Sequence, residues 1–418
     1  MRTRVLQQYS HELFVSLRSI VETVQTIENA IPVKLFKILF PLWNVDVIGT
    51  QQEGHPYELL EQFIEQGIHE GALSSIETLT HFFGLPNDIV EEKLNFLRAI
   101  GHVTGTNTRL ALTSLGMQSL QSGMSYRTLE TRRNLYFDAF GLRPLPRNHY
   151  NLHLLSFEDA QKIQDSSIYC LYSFRSWDNH ATSELSQRLD RSSYNLPDKL
   201  IISESRGVER AFIPMCIVET HIHDIAHQKM NTRYIVVTHV QGWRDVFFEE
   251  IVNSESSIHD LLQSEFDHQG KSIEDLLAKW LSRQRFAQYA HLLQAQDGIW
   301  QVHIDAKVFT QANVHLAMMN IRDIGSYRLA QSYLYQIWCD EPPIRRTAAL
   351  EQTIAFIERN KQQRLMKQLT IHNFMQRITE HLKIEPLAWY DLRDYAKNVG
   401  KLAIVDDMED QAIEEGYE

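Results

Sequence analysis

Between Tyr57 and Gly123 three amphipathic helical stripes, each stopped by a glycine, lead into two short strand-like runs joined by a polar turn. That order of periods leaves few ways to fold. Leu59, Leu60, Phe63, Ile64 and Ile68 mark the first stripe, closed by Gly71. Ser75 stands as the N-cap of a short helix, Ile76 to Phe83, with Thr78 at its third position and Gly84 at its end. Asn87 or Asp88 opens the third helix, whose apolar side is Ile89, Val90, Leu94, Leu97 and Ile100, and Gly101 stops it. His102–Thr104 and Leu110–Thr113 flank Gly105-Thr106-Asn107, a turn suited to a two-stranded ribbon.

This span resembles the winged helix-turn-helix superfamily of bacterial regulators. The matching phrases are Ser75-Ile76-Glu77-Thr78-Leu79, then Leu94-Asn95-Phe96-Leu97-Arg98-Ala99-Ile100-Gly101-His102-Val103, then Leu112-Thr113-Ser114-Leu115-Gly116. The resemblance implies a third helix that enters the DNA major groove. Here that helix opens on Asp88, Glu91 and Glu92, with Lys93 and Arg98 its only bases. Carboxylates at that end repel phosphate, so a docking role for the module stands beside a DNA role.

A chain of 418 residues exceeds one ordinary core. Leu6, Tyr9, Leu13, Leu17, Ile20 and Val24 make one helical stripe, and Val33 to Phe40 reads as a second short helix before Pro41. Strand-like runs follow at Ile168–Phe174, Lys199–Ile202, Phe212–Val218, Tyr234–Val240 and Trp300–Ile304, with helices at Asp245–Val252 and Ser272–Leu293 between them. The expected organisation is a helical segment over 1–54, the module over 55–123 and a basic connector over 124–166. A mixed centre over 167–306, a helical region over 307–403 and an acidic tail over 404–418 complete an α+β chain.

Hydrophobic residues at 43% and charged residues at 22% are those of a folding chain. No apolar run reaches the roughly 18 residues of a membrane span, and the opening residues lack the apolar stretch of a secretory signal. Three cysteines, Cys170, Cys216 and Cys339, fit no zinc or disulfide spacing, and a cytoplasmic location is expected. A net charge of −12 argues against wholesale coating of nucleic acid, although the last thirteen residues contribute seven carboxylates and no base.

Local basic sites remain. Arg127, Arg132, Arg133, Arg143 and Arg147 alternate with Tyr126, Tyr136, Phe137, Phe140 and Tyr150 in the connector, and Arg109 lies in the ribbon. Arginine forks bind phosphate and aromatic faces stack on bases; the competing reading is a helix packed on the domain. On a helix Arg132 and Arg133 diverge by about 100 degrees, so one faces outward. Arg345, Arg346, Arg359, Lys361, Arg364 and Lys367 form a second basic stretch, read as a solvated helical face.

Signals for chemistry are weaker. His221, His223 and His227, beside Glu219 and Asp224, supply zinc-type ligands, but their spacing departs from the His-x-His-x-Asp-His signature of metallo-β-lactamases. His303, Lys307 and the later Gly325-Ser326 resemble the phrases of phospholipase D-like nucleases, with three residues between His and Lys where that family has one. No phosphate-cradling loop or nucleophile elbow occurs, and no cofactor is expected. The leading expectation is a non-enzymatic DNA-associated protein, a regulator or a subunit of a DNA-processing or defence assembly, with a protein partner or a second copy. A protein-interaction scaffold and a degenerate phospholipase D-like nuclease are the alternatives.

Overall fold

The computed structural model describes residues 13–27, 30–163, 167–224, 229–239, 244–267, 272–295, 298–310, 319–360 and 368–401. Along the chain these form α1 (Leu17–Val24), β1 (Ala30–Pro56), α2 (Leu59–His69), α3 (Ile76–Phe83), α4 (Asn87–Ala99), β2 (Val103–Thr106), β3 (Arg109–Leu112), α5 (Ser114–Ser122) and β4 (Met124–Asp138). Next come β5 (Leu155–Ser156), α6 (Phe157–Gln161), β6 (Ile168–Cys170), α7 (His180–Gln187), β7 (Ile201–Asp224), β8 (Lys229–Val237), α8 (Val246–Ser254), α9 (Ser256–Asp267) and α10 (Ile273–Leu281). The last are β9 (Ala290–Gln294), β10 (Trp300–Ile304), α11 (Lys307–Thr310), β11 (Tyr327–Ala330), β12 (Tyr333–Trp338), α12 (Pro342–Asn360), α13 (Gln368–His381) and α14 (Trp389–Asn398). The chain is thus mixed α and β, with a large mixed sheet.

Two compact units result: Met1–Phe40 with Gln161–Leu171 and Pro214–Glu418, and Pro41–Ala160 with Tyr172–Ile213. In the first, β12 runs parallel to β10 and antiparallel to β11, and β10 pairs antiparallel with β9. The opening of β1 sets Lys34 opposite Tyr333 of β12 and Lys37–Leu39 parallel to β6. The end of β7 pairs with β8 from Cys216–Val237 to Asp224–Lys229. Among the described residues, one core packs on β10 and β12 and another on the segment that follows β12. Leu277, Leu281 and Phe286 meet Val302, Ile304, Tyr335 and Ile337, while Ile354, Ile357, Ile371, Leu382 and Leu392 enclose Cys339 and Trp338.

In the second unit β1 and β4 form an antiparallel ladder from Leu42–Asp138 to Pro56–Met124. Trp43, Val45, Val47, Leu135 and Phe137 alternate onto one face and pack against Leu185, Leu196 and Leu200. Residues 57–123 sit between these two strands as helix, helix, helix, two-stranded ribbon, helix. Their core is Ile64, Ile68, Ile76, Leu79, Val90, Leu94, Leu97, Val103 and Leu110. A capping box between Ser75 and Thr78 starts α3, and Gly84 ends it in the left-handed region. The ribbon turns on Asn107-Thr108, not on the phrase starting at Gly105. Gly105 lies within β2 at φ +94°, where a Cβ would stand 2.0 Å from the Arg109 carbonyl oxygen.

Several expectations are corrected. Val33–Phe40 is strand, not helix: a short, mostly apolar run between two prolines, interrupted only by Lys34 and Lys37, suits a strand with neighbours on both edges, and periodicity alone does not separate it from a buried helix. The connector of 124–166 opens with fifteen residues of strand, every one of them paired with β1. Ser272–Leu293 is helix only to Leu281, then turns into β9. The stretch after Ala306 holds strands β11 and β12 among its helices. Leu6, Tyr9 and the acidic tail lie outside the described residues. Cys216 and Cys339 are buried and Cys170 half-buried, and no helix among the described residues is long and apolar enough to cross a membrane.

Candidate functional site

Beneath the module's helices a buried polar network fixes how they meet. His102 precedes β2, and its Nδ1 lies 2.6 Å from Glu65 Oε1 of α2, with both side chains fully buried. Its Nε2 lies 2.5 Å from the Tyr126 carbonyl oxygen of β4. Both ring nitrogens therefore face acceptors, which only an imidazolium can satisfy as a double donor. Burial opposes that charge. The hydrogen bonds to Glu65 and the Tyr126 carbonyl outweigh it and hold the His102 pKa above its ordinary value. Tyr57 donates to the second Glu65 oxygen at 2.7 Å, and Ser119 of α5 accepts the Tyr126 amide at 3.0 Å. The network thus ties α2, α5 and the ribbon to β4.

The cations expected to meet DNA are largely engaged within the protein. In α4, Lys93 pairs with Glu58 at 2.5 Å and Glu61 at 3.7 Å. Arg98 donates to Asn107 Oδ1 at 2.7 Å and so clamps the ribbon turn. On a strand Arg132 and Arg133 project to opposite faces, not 100 degrees apart as on a helix. Arg132 is exposed but grips Asp46 through both arms of its guanidinium, while the Arg133 Nε is buried without a hydrogen-bond partner. Arg127 lies over the Phe96 ring at 5.1 Å, and Arg143 lies 4.0 Å from buried Asp138. Arg109 and Arg147 are exposed and have no ion-pair partner among the described residues.

Apolar side chains show the opposite displacement. Leu59 is 70% exposed, Phe63 51%, Phe82 67% and Ile89 39%. All but Phe82 belong to the stripes read as core, yet the module closes its core without any of the four.

Elsewhere, His303 at the end of β10 is buried, with Nδ1 2.7 Å from Asp340 Oδ1 and Nε2 3.0 Å from Gln301 Oε1. Burial pushes its pKa down, against the pull of Asp340. Lys307 is not its companion: it is exposed and lies 3.9 Å from Asp305. The group beside His303 is His291, directly opposite on β9, with ring centroids 5.3 Å apart. His221 is half-buried on β7; the His223 side chain and His227 lie outside the described residues. In the second basic stretch Arg346 pairs with Asp391 at 2.7 Å and Arg345 donates to the Cys339 and Asp340 carbonyls. Comparison with protein-family models, with curated proteins and with solved structures finds no match.

Proposed function

We propose that the protein is a non-enzymatic interaction subunit whose module, residues 57–123, docks a partner protein. The exposure of Leu59, Phe63, Phe82 and Ile89 carries this reading. Large apolar side chains left in water over a completed core are the usual material of an interface anchor. Exposed Glu77, Asp88 and Glu92 lie on the same helices as Phe82 and Ile89, while Lys93 and Arg98 are drawn inward. Such a surface fits a partner segment with apolar anchors flanked by lysine or arginine. The resemblance to winged helix-turn-helix proteins is compatible with docking, because a fold does not fix what it binds.

A photo-crosslinking amino acid placed at Phe82 is expected to give a protein adduct in cells, and the same residue at Arg109 none. Joint Asp88→Lys and Glu92→Lys substitutions should abolish the adduct. An adduct indifferent to that charge reversal would count against the proposal.

DNA association is the second reading, favoured by exposed Arg109 on the ribbon and exposed Arg147. It requires affinity that falls steeply with salt and ignores sequence. In a mobility-shift salt series, binding weakened by Arg109→Ala and untouched by Phe82→Ser would put this reading first.

A further inference from the structure

We propose that His291, His303 and Asp340 form a site for a divalent transition-metal ion of the zinc type. Three neighbouring segments deliver these ligands. His291 on β9 and His303 on β10 are directly paired across an antiparallel ladder, so both side chains leave the same face. Trp338 of β12 is in register with His303, and Asp340 follows it by two residues. One ligand atom from each side chain lies within 4.8 Å of the others. Two imidazoles and a carboxylate are borderline ligands suited to zinc, cobalt or nickel more than to calcium or magnesium.

Hydrogen-bond polarity also orients the buried histidine as a ligating ring is oriented. Gln301 donates its amide to Gln336 Oε1 at 2.9 Å, which leaves Gln301 Oε1 as an acceptor facing His303 Nε2 at 3.0 Å. Nε2 therefore carries a hydrogen, and Nδ1 faces the Asp340 carboxylate at 2.7 Å. At that separation either a proton or a metal ion lies between nitrogen and carboxylate, and the nearby His291 adds a third ligand atom that a proton does not need. An ion bound by Nδ1, Asp340 and His291 uses all three, and the amide oxygen on Nε2 is the outer-shell partner that orients a ligating histidine. His291 and Asp340 are exposed, so solvent reaches the ion and three protein ligands leave a coordination position for water.

Chelator-treated, dialysed full-length protein should bind one Co²⁺ per chain with a visible d–d spectrum, and Zn²⁺ should displace it. His291→Ala and Asp340→Asn, both at the surface and checked for folding by circular dichroism, should each weaken binding by at least about tenfold. Gln301→Leu should weaken it by about 10- to 100-fold through loss of orientation. Zn²⁺ should also raise the melting temperature of the parent protein and leave that of His291→Ala unchanged. Absence of a d–d spectrum, or Co²⁺ binding that survives both ligand substitutions, would overturn the site. A proton shared between His303 and Asp340 would then be the only cation there. His221→Ala is the control and should leave Co²⁺ binding intact.

Discussion

Glu65→Leu is expected to destabilise the module by about 3–5 kcal/mol, the usual cost of stranding one member of a buried ion pair. The His102 imidazolium would keep the Tyr126 carbonyl but lose its carboxylate, and the Tyr57 hydroxyl would lose its acceptor. Adding His102→Leu should recover part of the loss, because a buried apolar pair is cheaper than a lone buried charge. The same pair sets a pH dependence. The folded pKa of His102 is raised, so its stabilisation is fully present below the ordinary histidine value and is lost as pH rises through the folded value. Urea midpoints should therefore fall toward alkaline pH in the parent and flatten when His102 is replaced. A parent midpoint that climbs over the same range would contradict the imidazolium assignment.

Asp138→Ala carries the other large penalty. This buried carboxylate accepts the amides of Phe140, Gly141 and Arg143 at 2.9, 2.6 and 2.7 Å and so shapes the turn that leaves β4. Burial pushes its pKa up, and those three amides with Arg143 pull against that rise. Alanine leaves the amides without their acceptor at roughly 1–3 kcal/mol for each one that water does not reach, so a total of about 3 kcal/mol is expected. Asp138→Asn keeps an acceptor and should cost about 1 kcal/mol. Denaturant unfolding followed by tryptophan fluorescence reads both, since Trp43 and Trp177 pack with this core. Equal losses for Ala and Asn would show that charge, not hydrogen-bond acceptance, holds the turn.

What could be read from the sequence was local. Ser75 with Thr78, Gly84 and the spacing of Val90, Leu94 and Leu97 announce their helices because caps and stripes act over a few residues. The partners of β1 escaped because they lie far along the chain: β4 is separated from it by the whole module, and β12 by about three hundred residues. That distance also hid the arginines' fate, since Asp46 is Arg132's neighbour only through the ladder. The histidine cluster needed three strands at once. A signal for it existed: Ala290-His291-Leu292 and Val302-His303-Ile304 flank the short polar stretch around Gly298 as a hairpin would. Reading Ser272–Leu293 as one helix concealed it.

The direct pairing of Pro56 with Met124 gives the module an unusual topological standing. Both ends of residues 57–123 leave from one rung of a ladder, as the two ends of an ordinary hairpin turn do. The entropy of closing such a connection grows only with the logarithm of its length, about 0.6 kcal/mol for each doubling. Lengthening that connection from two residues to the module's length costs roughly 3 kcal/mol of closure entropy if the insert is flexible, and a folded insert that holds its own ends together pays less. The pairing of β1 with β4 can thus keep its register while the module's outer surface changes, provided that His102 and Ser119 keep their bonds to Tyr126.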